Sequence, residues 1–177
     1  MNNPTRNLPH VSIKASLVRY WIKRAFEAHY GVPFHATEEA PESFAGLKEW
    51  AHSSGFDPLN RAENPSMPVF AGGSDDTISG NAEGNHLFRA WHDCIHLQHG
   101  LSFSKGDELA VAALHCEQLR SVRAPQSVID AVWCDTAGQV LHYYKYKEFV
   151  VDQAAFVEEC LNAGIDVALQ RNWGAGK

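Results

Sequence analysis

Between Asn85 and His115 the chain places His86, Arg89, His92, Asp93, His96, His99, Glu108 and His115 in close succession, including five of its ten histidines. At about 100° per residue, Asn85, His86, Arg89, His92, Asp93, His96 and His99 fall on one arc of a helix. Leu87, Phe88, Ala90, Trp91, Cys94, Ile95 and Leu97 fall on the other. A solvated helix face is ordinarily built from Lys and Glu, whose long stems keep charge in water. This arc has neither, and its residue types are those that hold transition metals.

Two later segments repeat the pattern. Glu108 and His115 are seven apart and share a face with Ala112 and Leu119, where unpaired ionisable groups would be costly to bury. Asp135, Gln139 and His142 stand at i, i+4 and i+7 beside Val128, Ala131 and Val132. Helices bring imidazole and carboxylate to one point most cheaply when such stacked residues sit on faces that meet. The expected ligands of a divalent transition metal (Zn, Mn or Fe) are therefore His92, His96, Glu108, His115 and Asp135. Asp93 is the expected catalytic carboxylate and Arg89 the expected clamp for an anionic substrate. Each flanking histidine has a plainer role available. His86 lies at the edge of the arc, His99 suits the negative end of a helix dipole, His142 suits a hydrogen-bonded core and His52 suits a half-buried helix end.

The elements that must position these residues are helical. Val11–Tyr30 and Pro41–Ser53 read as helices stopped by Gly31 and Gly55, and residues 1–10 as a polar, flexible tail. Residues 56–84 lose periodicity and carry dense turn chemistry, which predicts an irregular rim or lid delivering the chain to the site, with Pro68-Val69-Phe70 as a short extended piece. Asn85–His99, Asp107–Val122 and one uninterrupted helix over Val128–Tyr146 come next, so that 85–146 supplies the metal-site helices. A last helix starts at Asp152 and ends near Gly164, with two further turns over Ile165–Arg171. The fold class is all-α, a single-domain bundle over 1–177 with a long irregular loop over a metal site.

Bulk properties narrow the function. A chain of 177 residues with 45% hydrophobic and 20% charged content is globular. The net charge of −6 gives no general indication of nucleic-acid binding, although it leaves room for a local basic groove. Cys94, Cys116, Cys134 and Cys160 contain no C-x-x-C pair and read as buried thiols of a reducing compartment. No run approaches the apolar length of a membrane span, and the N-terminus has no signal-peptide core, so the expected location is the cytoplasm. The oligomeric state is open. Phosphate-binding loops, dinucleotide fingerprints and the G-x-S-x-G elbow are absent, and His92-Asp93-Cys94-Ile95-His96 departs from the H-E-x-x-H peptidase pattern.

His92-Asp93, preceded by an irregular segment and succeeded much later by Asp135 in Val132-Trp133-Cys134-Asp135-Thr136, resembles the HD-domain superfamily. That resemblance implies an all-helical metal-dependent phosphohydrolase, with oxygenases as a minority of the family, and implies His52 in Ala51-His52-Ser53 as the upstream histidine. Here Phe88-Arg89-Ala90-Trp91 stands in place of the family's aliphatic run. Phe88-Arg89-Ala90-Trp91-His92-Asp93-x-x-His96, then Glu108, then Asp152-Gln153-x-x-Phe156, is also similar to uncharacterised bacteriophage proteins, which implies a small phage accessory protein in the host cytoplasm. The expected function is metal-assisted hydrolysis of a small anionic substrate of the nucleotide or phosphoester class. A non-haem iron oxygenase or oxidase is the alternative, and a noncatalytic phage inhibitor or assembly factor with a structural metal is the third reading.

Overall fold

A computed structural model describes residues 12–61, 63–73 and 77–175. The expected tail at 1–10 and the Ser74-Asp75-Asp76 part of the expected rim lie outside the described residues. The chain forms α1 (Ala15–His29), β1 (Phe34–Thr37), α2 (Phe44–Ser54), β2 (Met67–Phe70), α3 (Ala82–His99) and α4 (Lys105–Ser121), in that order. It continues through α5 (Gln126–Trp133), a π-helical turn (Cys134–Gly138), α6 (Gln139–Tyr146), α7 (Gln153–Ala163) and α8 (Ile165–Ala168). The class is all-α, as expected, with one small parallel pairing of β1 and β2 that the helical periodicity does not foretell.

Local chemistry sets the helix ends. Ser43, Asn81, Ser104 and Asp152 each accept a backbone N–H three residues on, so an orphan donor is satisfied at the start of α2, α3, α4 and α7. Gly100 ends α3 at φ 64, a left-handed conformation that costs glycine nothing and other residues about 1 kcal/mol.

The apolar arc of α3 packs inward: Leu87, Ala90, Trp91, Cys94 and Ile95 join Val18 and Ile22 of α1, Val111 and Leu119 of α4, Val128 and Val132 of α5, and Phe156 of α7 in one core. A buried relay crosses that core. Trp91 Nε1 donates to Gln118 Oε1 at 2.6 Å and Gln118 Nε2 donates to the Tyr30 hydroxyl at 2.9 Å. The Tyr30 hydroxyl in turn donates to Gln98 at 2.5 Å. Each otherwise costly polar group is thereby satisfied, and α1, α3 and α4 are held in one register.

The expected single helix over Val128–Tyr146 is interrupted. Cys134–Gly138 winds as a π turn, with the Thr136 hydroxyl donating back to the Val132 carbonyl at 2.7 Å. Hydroxyl back-bonding of this kind loosens a helix locally. Gly138 lets α7 approach, since a Cβ there would stand 2.9 Å from Phe156.

Candidate metal centre

The centre lies where α3 meets the first turn of α4. His92 and His96 are one turn apart on α3, and Glu108 enters from α4. His96 Nε2 stands 2.9 Å from His92 Nε2, and Glu108 Oε2 stands 3.3 Å from His92 Nε2 and 3.6 Å from His96 Nε2. Ligands bonded to one ion at about 2.0–2.2 Å, at tetrahedral or octahedral angles, stand about 2.8–3.6 Å from one another. The three atoms match that triangle. Together they form a group able to hold a metal ion.

Hydrogen bonds at the far side of each ring decide which atoms face the centre. The Leu101 carbonyl lies 2.9 Å from His96 Nδ1 and can only accept, so Nδ1 carries the hydrogen and Nε2 presents a lone pair. His92 Nδ1 lies 3.1 Å from His115 Nε2, which likewise directs His92 Nε2 inward. Two imidazole lone pairs and a carboxylate converging this closely repel one another unless a cation, a proton or a metal, sits among them. The electrostatics agree: burial disfavours charge on His92, but hydrogen bonding and charge from Glu108 prevail and raise its pKa. Burial alone would raise Glu108, yet with a proton as that cation, hydrogen bonds from the protonated Nε2 of His92 and of His96 hold it well below the usual carboxylate range.

His115, expected as a ligand, stands one layer back. Its ring packs edge-on to Trp91, 4.0 Å between centroids, and stacks on Phe88 at 5.1 Å. Burial, and then the neighbouring His92 and His96, hold its pKa well below the usual value, so it is neutral. Its Nδ1 is buried without a hydrogen-bond partner among the described residues. An orphan polar atom at this depth is costly, and here it accompanies a ring whose other nitrogen orients His92.

Asp135 is brought near enough to His92 to feel its charge but sits outside the triad. It is buried, Gln139 Nε2 donates to its Oδ1 at 2.7 Å, and burial pushes its carboxyl up to about 7. It belongs to the π turn, a feature frequent at functional sites. Asp93 flanks His92, and burial pushes its carboxyl up to about 6. Aromatic rings wall the centre: Phe103 lies 4.8 Å from His96 and Phe44 6.2 Å, ring to ring. Neither phenylalanine carried a signal in sequence, because each comes from a segment without ligand spacing. The edge is open to solvent, with the His92 side chain 23% exposed and that of Glu108 18%.

The remaining expected residues lie elsewhere. A guanidinium N–H of Arg89 donates to the Phe70 carbonyl, and the group covers the Phe70 ring at 5.4 Å. The ring of His86 meets the Ala71 carbonyl through Nε2 at 3.2 Å. Arg89 and His86 thus pin the end of β2 to α3 one to two turns before His92, which is where this part of the expected rim is anchored. His142 is buried with both nitrogens engaged, Nδ1 to the Glu148 carbonyl at 3.0 Å and Nε2 accepting from the Trp173 N–H at 2.9 Å, and it holds the C-terminal segment in place. His99 and His52 are exposed on the last turns of α3 and α2, apart from the triad. The four cysteines are free and buried. No helix among the described residues is long and apolar enough to cross a membrane. No protein-family model, no curated protein and no solved structure matches this chain.

Proposed function

We propose that this protein is a metal-dependent hydrolase acting on an anionic substrate of the nucleotide or phosphoester class. The observation that carries this reading is the His92, His96 and Glu108 triad, three protein donors at ligand spacing on a solvent-reachable edge. Catalytic sites characteristically use three protein ligands, whereas structural sites close all positions with protein. A divalent ion held there would supply a Lewis acid and an acidified water.

The chain's own residues contribute the rest. His96 and His92 are held as inward-facing donors by the Leu101 carbonyl and by His115. Asp93 and Asp135, carboxyls that burial favours in the protonated form, stand beside the triad and are the groups placed to hold a proton there. Phe44 and Phe103 keep bulk water from the His96 side. The order of His92-Asp93 and Asp135 resembles that of HD-domain phosphohydrolases, but His52, the upstream histidine which that resemblance implies, lies apart from the triad.

The same two-histidine, one-carboxylate set also suits ferrous iron, and on that ground an oxygenase is the second reading. Elemental analysis of protein purified without added metal tests both. The expected result is about one equivalent of zinc or manganese, sharply reduced in His92→Ala and in Glu108→Ala. Iron with an oxygen-dependent spectral change would favour the oxygenase, and stoichiometry unchanged by both substitutions would remove the metal centre.

A further inference from the structure

The end of α6 carries a surface that the metal centre does not use. Phe149 is 74% exposed, and Tyr143 and Tyr144 are each exposed by more than a third. Tyr143 stacks on Phe149 at 4.8 Å and 27° and meets Tyr144 edge-on at 5.8 Å. Lys147 Nζ lies 4.8 Å from the Tyr144 ring and 5.8 Å from that of Tyr143, and Lys105 Nζ lies 5.5 Å from Tyr144. The acid in this stretch is turned aside, because Glu148 Oε2 accepts from Asn172 Nδ2 at 2.9 Å.

Lys147 occupies the left-handed position that ends α6, at φ 59, where glycine is the usual residue. A cation there suits the negative end of the helix dipole, and it also sets an ammonium over two exposed rings. The surface also adjoins the candidate centre, because Lys105 opens α4 one turn before Glu108.

Exposed aromatic faces that accept any base, interleaved with flexible cations that track a phosphate backbone, are what single-stranded nucleic acid recognition requires. A buried protein partner would instead strand the ammonium groups in an apolar interface at high cost. We propose that Tyr143, Tyr144, Phe149, Lys105 and Lys147 form a docking surface for single-stranded nucleic acid, which is the substrate class of the adjoining centre. The substrate role rests on the hydrolase reading; the docking does not. With a net charge of −6 on the whole chain, the attraction is local and strongly salt-dependent.

The test is fluorescence anisotropy of a labelled oligothymidylate of about ten nucleotides, in low salt and with a chelator present. The expected result is binding that weakens about fivefold or more in Phe149→Ala and in Tyr144→Ala. Lys147→Gly, which relieves the backbone and therefore folds, is expected to lower the slope of log affinity against log salt by about 0.7. Absence of binding, equal affinity for a duplex of the same length, or affinities unchanged in all three variants would overturn the proposal. His92→Ala separates the two ideas: it is expected to lose metal and keep the strand. Loss of strand binding with metal retained in the parent protein removes the docking surface alone, and the converse removes the hydrolase alone.

Discussion

Asp135 shows how far a local environment can move a residue from what its type would suggest. A carboxyl buried in the π turn, with Gln139 as its hydrogen-bond donor, resists ionisation, and its pKa rises from 3.8 to about 7. Since the folded value lies above the unfolded one, the protonated group favours the folded state fully below about pH 4, and that contribution disappears as pH rises through about 7. In the chelated protein, Asp135→Asn should therefore be stabilising above pH 7, by a few kcal/mol at about 1.4 kcal/mol per unit. The difference should vanish near pH 4. Urea denaturation at a series of pH values measures this, and a stability difference independent of pH would show that Asp135 is not held protonated. His115 shows the same dependence on surroundings: its type and spacing read as a ligand, and only its distance from His92 makes it an orienting neighbour.

At the scale of elements, the π turn governs which side chains from Gln126 to Tyr146 reach the centre. Asp135, Gln139 and His142 share a face on a regular helix, but one extra residue in a turn rotates every later side chain by about 100°. Asp135 consequently stays near His92 while His142 turns toward Trp173. Gly138 makes this interrupted helix compatible with α7. A methyl at Gly138 would meet Phe156 carbons at 2.9 Å and 3.2 Å, so Gly138→Ala should destabilise the protein by about 1–3 kcal/mol through overpacking. Thermal denaturation checks the value. An unchanged midpoint would mean that Phe156 yields freely. Much of the remaining layout was legible, because caps such as Ser104 and Asp152 and stops such as Gly100 act within a few residues and leave a local signal, whereas Asn81 read as turn chemistry and α3 starts at Ala82, three residues before the expected Asn85. The pairing of β1 with β2 was not, since Phe34–Thr37 and Met67–Phe70 are short and find each other only across the intervening α2.

For the whole molecule, the centre joins α3 to α4 by three side chains, so metal binding and global stability are coupled. An ion at a hundredfold excess over its dissociation constant should stabilise the fold by about 2.7 kcal/mol, raising the melting temperature by about 5–10 °C. Glu108→Ala should abolish the increment. A melting temperature insensitive to chelator and to added zinc or manganese would count against a resident ion.

The sequence by itself determined the helical class, the inward faces of α3 and α4, and a set of five expected ligands, His92, His96, Glu108, His115 and Asp135. Residue type and helical period are local properties, and three helices repeated the same ligand chemistry. Only the tertiary structure decided which of the candidates converge. It drew Leu101 and His115 behind the two histidines, bound Arg89 and His86 to the end of β2, and gave both nitrogens of His142 to the backbone. Those outcomes depend on crossing distances between helices and on one widened turn, and a few ångströms separate a ligand from the neighbour that orients it.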